Sequence, residues 1–243
     1  MRRFFLFLSF ALLSSMIAYS AQAAVWYSQN FDGLADGDVF GQDSWESIDN
    51  LTAGLGSPTV QSAVVHGSSG KALKAEAGQE TCRRFDPVHA GQQFLIIYFN
   101  KANADPGNTL HLYLGKDVLA WPAGPVIRIG DQSGDPGKVG AHNGGDIMQV
   151  ATFIPGEWHR IRMVVDYDAL SYDAYFDGDL VAEGFAFRSN AHDALGWLMI
   201  GFDAGAGVQG YYDDIIMGDG DGANVTAVDS SGKLATTWAS VKH

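Results

Sequence analysis

The chain carries one cysteine, Cys82, in 243 residues, so no intrachain disulfide can staple it. A catalytic thiol would need a histidine and an orienting partner. Cys82 sits instead in a strand-like run, Glu80–Phe85, beside Arg83 and Arg84, and reads as a partly buried structural thiol. Basic residues are few: 15 Lys and Arg face 28 Asp and Glu, a formal net charge of −13. That acidity argues against nucleic acid and anionic lipid as partners, because both repel it. Glutamate is scarce too. It occurs only at positions 46, 76, 80, 157 and 183, so most of the acids are aspartates. Aspartate is favoured in turns, where its short side chain bonds nearby backbone, and it is a hard oxygen ligand for calcium. The single long apolar run, Phe4–Tyr19, is shorter than the ~20 residues a spanning helix needs. No H-E-x-x-H pair offers a zinc site, and no G-x-S-x-G elbow offers a serine nucleophile. Amphipathic helices and repeats of fixed period are also missing.

What is present begins with an export signal. Arg2 and Arg3 form a positive n-region, Phe4–Tyr19 an apolar core, and Ala21-Gln22-Ala23 an A-x-A cleavage site. Residues 1–23 are therefore expected to be removed, leaving a secreted or periplasmic protein two charges more acidic. The remainder divides into one domain over 24–218 and a tail or linker over 219–243, rich in Ser, Thr, Ala and Gly. Asp219-Gly-Asp-Gly opens that tail like an EF-hand loop, but no glutamate closes it, so it reads as a solvated turn.

Thirty glycines cut the domain into short runs with the period of strands. Strands are expected at Val25–Phe31, Thr59–His66, Lys71–Ala77, Glu80–Phe85, Gln93–Lys101, Leu110–Gly115, Val126–Gly130, Met148–Phe153, Trp158–Asp166, Ser171–Phe176, Leu180–Glu183, Leu198–Phe202 and Gly210–Met217. Leu110, Leu112 and Leu114 alternate with His111 and Tyr113; Ile127 and Ile129 flank Arg128; Ile161, Met163 and Val165 alternate with Arg160 and Arg162. Each such strand should offer one core face and one wet face. So many antiparallel strands must close as two packed sheets, which gives an all-β, antiparallel two-sheet β-sandwich.

The opening Asn30-Phe31-Asp32-Gly33, then Gly41-Gln42-Asp43-Ser44-Trp45, and the closing Trp158-His159-Arg160-Ile161, Tyr172–Gly178 and Tyr211-Tyr212-Asp213-Asp214-Ile215 together resemble the concanavalin A-like, laminin-G-like jelly-roll domains of bacterial secreted proteins. The resemblance covers roughly residues 25–218 and implies a jelly roll. It also implies a structural calcium between an acid near the first strand, Asp32, and one on the last, Asp213 or Asp214. Those side chains supply only a few of the roughly six to eight oxygens calcium takes, so backbone carbonyls and water would supply the rest. Lectins, carbohydrate-binding modules, glucanases and polysaccharide lyases share the fold, so fold alone does not choose an activity.

The glucanases of this fold carry E-x-D-x-x-E on a strand, and none of the five glutamates begins that motif. The Arg, Gln-x-His and Tyr pattern of alginate lyases is not apparent either. What remains is a constellation: Tyr98, His111, Tyr113, Arg128 and Gln149 share the non-core parity of their strands, with Trp121 in a nearby loop. Aromatic faces suit sugar rings, and Arg or His bonds hydroxyls and carboxylates. The expected function is a non-catalytic carbohydrate-binding module whose partner is a polysaccharide or glycan. A lyase or hydrolase of the same fold, or an adhesion domain, is the alternative. The sequence does not name the glycan or the oligomeric state.

Overall fold

The computed structural model describes residues 23–47, 56–104, 109–116, 123–130, 137–202 and 209–225. Sixteen strands run through them: β1 (Ala24–Gln29), β2 (Gly37–Asp38), β3 (Trp45–Glu46), β4 (Thr59–Gln61), β5 (Ala72–Glu76), β6 (Glu80–His89), β7 (Gln92–Lys101), β8 (Leu110–Gly115), β9 (Val126–Ile129), β10 (Lys138–His142), β11 (Ile147–Thr152), β12 (Trp158–Asp166), β13 (Ser171–Phe176), β14 (Asp179–Ala186), β15 (Leu195–Phe202) and β16 (Gln209–Asp219). The nine-stranded sheet has the order β14-β13-β12-β7-β16-β5-β4-β2, with β1 also on β16; the seven-stranded sheet runs β11-β10-β9-β8-β15-β6-β3. All pairings are antiparallel, and the two sheets form a sandwich consistent with a jelly roll. Among the described residues no helix is long and apolar enough to cross a membrane.

The core lies where alternation predicts it. Leu110, Leu112, Leu114, Ile127, Ile129, Ile161, Met163 and Val165 all face one buried cluster with Leu95, Ile97 and Phe99 of β7. Asp177 and Gly178 both take positive φ, 50° and 103°, the conformation of the tight turn that joins β13 to β14. Asp177 also ties that turn to β12, accepting from Arg160 N–H at 2.8 Å.

Other expectations change. Thr59–His66 shortens to Thr59–Gln61, although it does pair with β5. The run from Glu80 extends to His89 through a bulge in which residues 85–88 face Gly196 alone. β2, β3 and β10 were not expected; two are only two residues long, and in Lys138–His142 Gly140 and Ala141 interrupt the pattern, leaving Val139 as its one strand-favouring residue. The expected wet face of β8 is not wet. His111 and Tyr113 are fully buried, because Cys82, Tyr113, Ala123, Val126, Trp197 and Met199 make a second apolar cluster on the side of the seven-stranded sheet away from the core. Cys82 is thus wholly rather than partly buried. Residues 219–225, assigned to the tail, lie across the outer face of the nine-stranded sheet. Arg162 donates to Asp221 O at 2.7 Å and Arg160 to Val225 O at 3.2 Å. The export signal and the tail beyond residue 225 fall outside the described residues.

Two tyrosines of the nine-stranded sheet reach through the core to the other sheet. Tyr172 Oη lies 2.7 Å from His142 O and 3.2 Å from Val126 O. Tyr212 Oη lies 2.9 Å from His111 O and 2.8 Å from Gly201 O, and takes the Gly201 N–H at 3.3 Å. Burial pushes both phenols well above their ordinary pKa, so they stay protonated donors. Tyr212→Phe deletes a buried hydroxyl and leaves polar backbone unpaired, so it should cost about 1–3 kcal/mol in urea denaturation. An unchanged unfolding midpoint would show that the hydroxyl contributes nothing.

Candidate functional site

Register across the seven-stranded sheet builds a row on its outer face. Gly201 of β15 pairs with Glu80 on one side and His111 on the other; His111 pairs with Arg128, Arg128 with Gly140, and Gly140 with Gln149. The row thus reads Glu80, Gly201, His111, Arg128, Gly140, Gln149. A Cβ at Gly201 would sit 2.6 Å from Gln79 O and 2.9 Å from Glu80 Cγ. Only a glycine therefore lets the Glu80 side chain pass over β15. Having passed it, Glu80 Oε1 comes within 2.9 Å of His111 Nε2. The distance is that of an ion pair, but the angles are not those of a hydrogen bond, since neither ring nitrogen of His111 has a well-directed partner. We read the contact as carboxylate–imidazole electrostatics rather than a directed bond.

The next row holds the aromatic members. Tyr113 stacks on His111, ring centroids 4.6 Å apart and 15° from parallel, and Arg128 Nε donates to Tyr113 Oη at 3.1 Å. Trp197 lies flat over Gly115, where a Cβ would meet its ring at 2.1 Å. His142 continues the Gly140 side of β10. Burial first, then the nearby Arg188 and Arg128 cations, hold its pKa below the ordinary value, so it is neutral near pH 7. In an acidic chain this face therefore gathers Arg128, Arg188 and His142 around one end of the row. Carboxylate, imidazole, phenol and guanidinium thus form a chain of neighbours, Glu80 to His111 to Tyr113 to Arg128, of a kind able to bond hydroxyls or to exchange protons.

Of the residues singled out in sequence, His111, Tyr113 and Arg128 come together. Gln149 stands exposed at the far end of their row. Tyr98 does not join them. It is on β7 of the other sheet, stacked on His66 at 3.8 Å, because equal parity along two strands says nothing about which sheet each strand enters. Trp121 lies outside the described residues. Sequence reading missed Glu80, Gly201 and His142. The glycine inside the otherwise apolar Leu195–Phe202 was the available signal, since a strand-interior glycine marks a close approach.

Asp32, Asp213 and Asp214 also converge, around the 64–71 loop. Asp32 Oδ1 accepts from Lys71 N–H at 2.7 Å and Oδ2 from Asn30 Nδ2 at 3.0 Å. Asp213 accepts from His66 N–H at 3.1 Å and Asp214 N–H at 2.8 Å, while Asp214 Oδ2 lies 2.7 Å from His66 Nδ1. Burial, then the adjacent Asp214 and more weakly Asp32, pushes Asp213 up to about 8 against the pull of its amide donors. Asp214 takes a left-handed φ of 46° at a bulge in β16, which turns the two successive aspartates toward the loop. The three carboxyl groups bring hard oxygens together, and the crowding that raises the Asp213 pKa is of the kind a cation would relieve. Among the described residues, though, no three His, Cys, Asp or Glu side chains form a ready metal-binding group. Backbone carbonyls and water would have to complete any coordination shell.

No protein-family profile matches the sequence, and no curated protein matches it. Solved structures match its shape. One described as endo-acting O-glycanases that initiate mucin breakdown, expressed by members of the human gut microbiota, superposes with a TM-score of 0.57 at 11% identity, over 81% of this chain and 99% of that one. The Emp47p carbohydrate recognition domain gives 0.52 at 9%, over 83% and 98%. A sialidase gives 0.55 at 11%, over 82% of this chain, which spans only 18% of that protein. At such identities the likeness is one of fold alone, an antiparallel β-sandwich.

If Glu80 and His111 interact as their distance implies, a double-mutant cycle should detect it. Glu80→Ala and His111→Ala should each lower stability by about 1–3 kcal/mol, and the double variant should lose less than their sum by at least ~0.5 kcal/mol. Strict additivity in urea denaturation would mean that the two side chains are neighbours without coupling.

Proposed function

We propose that this is an exported carbohydrate-binding domain whose saccharide site is the outer face of the seven-stranded sheet. The observation that carries the reading is the polar row Glu80, His111, Arg128 with Tyr113, laid across glycines on a face turned away from the core. Carboxylate, imidazole, phenol and guanidinium gathered in one row, where apolar side chains would pack without the cost of desolvation, mark a candidate site. Fold neighbours described as a carbohydrate recognition domain and as O-glycanases support the same substrate class. Arg128 and Glu80, the members of the row that keep a little exposure, would reach sugar oxygens by charge-assisted bonds, with His111 and Tyr113 buried behind them as support.

A second reading, a polysaccharide-cleaving enzyme, is favoured by one feature: the Glu80 carboxylate beside His111, with Tyr113 stacked on the same ring, is an acid–base set. One experiment separates the two. In affinity electrophoresis the protein should be retarded by at least one polysaccharide, and His111→Ala or Arg128→Ala should weaken retention by about tenfold, or ~1–3 kcal/mol. Incubation should release neither reducing ends nor unsaturated products. Product release that vanishes in His111→Ala would move the assignment to catalysis. A folded protein that ignores a broad glycan panel would leave adhesion.

We propose further that calcium sits among Asp32, Asp213 and Asp214, tying the segment after β1 to β16. A ligand bound only by the native state raises stability by mass action. Melting temperature should therefore fall on chelation and return with calcium but not with sodium, and Asp32→Ala should abolish the response. A Tm indifferent to chelator in metal-free buffer would remove calcium from the description.

A further inference from the structure

A groove of about 840 Å3 opens on the edge of the sandwich where β1, β3 and β6 meet, at the end of β6 away from Glu80. The β6 bulge makes it, because residues 85–88 leave the ladder opposite Gly196. One wall is aromatic. Trp26 and His89 stack face to face, centroids 3.7 Å apart and planes 5° from parallel, with Phe85 edge-on to Trp26 at 5.1 Å. Burial lowers the His89 pKa, so near neutral pH this is an uncharged ring rather than a cation. The rim carries planar polar groups: Arg84 and Glu46 form an ion pair there, both about half exposed.

Two donors lie buried behind this wall without acceptors. Neither the Trp45 indole N–H nor the Arg83 Nε–H has a hydrogen-bond partner among the described residues. Both atoms are shut off from solvent, so they belong to the packing behind the groove and not to its open surface. The lip is strained as well. Asp43 and Ser44 are successive non-glycine residues in the left-handed region, at φ 44° and 59°. Asp43 is held there by Gln29 Nε2 at 2.8 Å and Tyr27 Oη at 3.2 Å, which leaves Ser44 exposed beside the opening.

Flat rings and a paired Arg–Glu rim fit one chemistry. A pyranose or furanose lays its C–H face on an aromatic ring, and its hydroxyl oxygens accept from N–H groups. The volume lies within the usual range for small-ligand sites, roughly 300–1,000 Å3. Asp43, Glu46 and Asp86 offset Arg83 and Arg84, so no positive surplus selects an anion. We infer that the groove is a second saccharide subsite, one that takes neutral oligosaccharide, on the sandwich edge and apart from the polar row. The inference rests on the carbohydrate-binding reading of the domain, and it makes the domain bivalent for a polymer long enough to reach both places.

The test is an NMR titration of the full mature protein with neutral hexasaccharides of glucose, xylose, mannose and arabinose, followed through the assigned tryptophan indole N–H signals. At least one sugar should shift the Trp26 and Trp45 signals saturably. Arg84→Ala, at a half-exposed position, should leave the fold intact and raise the midpoint of those shifts at least threefold; Trp26→Ala should raise it tenfold or more. If polysaccharide retention holds in affinity electrophoresis while both indole signals stay fixed at saturating sugar, the groove is not a subsite and the polar row stands alone. If neither retention nor shifts are seen, the carbohydrate reading falls and the inference falls with it. Shifts whose midpoint ignores Arg84→Ala and Trp26→Ala alike would also overturn it.

Discussion

A single phenol joins the two sheets at the point that matters most. Tyr212 starts on β16, in the middle of the nine-stranded sheet, and its hydroxyl meets the main chain of His111 and Gly201 in the other. Those residues also form the centre of the polar row, one by its imidazole and the other by lacking a side chain. The next two residues of β16 are Asp213 and Asp214, which bulge outward to meet His66. Three consecutive side chains therefore connect the core, the row and the acidic cluster. The position of β16 within its sheet governs all three.

The row itself is an unfavourable arrangement in which each part offsets another. A carboxylate taken out of water needs a partner, and Glu80 finds one only because Gly201 leaves it a path. His111 is fully buried, its ring covered by Tyr113, whose hydroxyl in turn takes the Arg128 proton. The second apolar cluster excludes water from this face, which strengthens the electrostatics between the groups while raising the cost of leaving any one of them alone.

The architecture was largely legible in the sequence because it follows from local chemistry. Alternating Leu110, Leu112 and Leu114, the uninterrupted apolar run of β7, and Asp177-Gly178 each specify a strand or a turn without reference to anything distant. The candidate site was legible only in part. His111, Tyr113 and Arg128 sit on adjacent strands joined by a short excursion, so parity was enough to group them. Tyr98 was misgrouped because parity does not report sheet order, and β7 and β8, close in sequence, enter different sheets. Glu80 was passed over because its tie to His111 runs through β15, which arrives more than a hundred residues later. Burial of the outer face was hidden for a similar reason: Cys82, Trp197 and Met199 come from separate parts of the chain, and their joint packing has no local signature. The groove on the edge depends on a bulge whose partner, Gly196, is equally remote.

The two ends of the described chain have a bearing on how such a domain can be carried. β1 pairs with β16, Ala24 opposite Asp219, and Ala23, Val25 and Val225 pack on the same small cluster of Phe94, Ile96 and Ile216. Entry and exit thus lie side by side on the outer face of the nine-stranded sheet, the reverse side from the polar row. A host polypeptide could be cut at one peptide bond and receive the whole sandwich there with little rearrangement of its own backbone, since the gap to bridge is short. Neighbouring domains would then be held at the back, and the row at the front would stay clear of them whichever way the host chain ran.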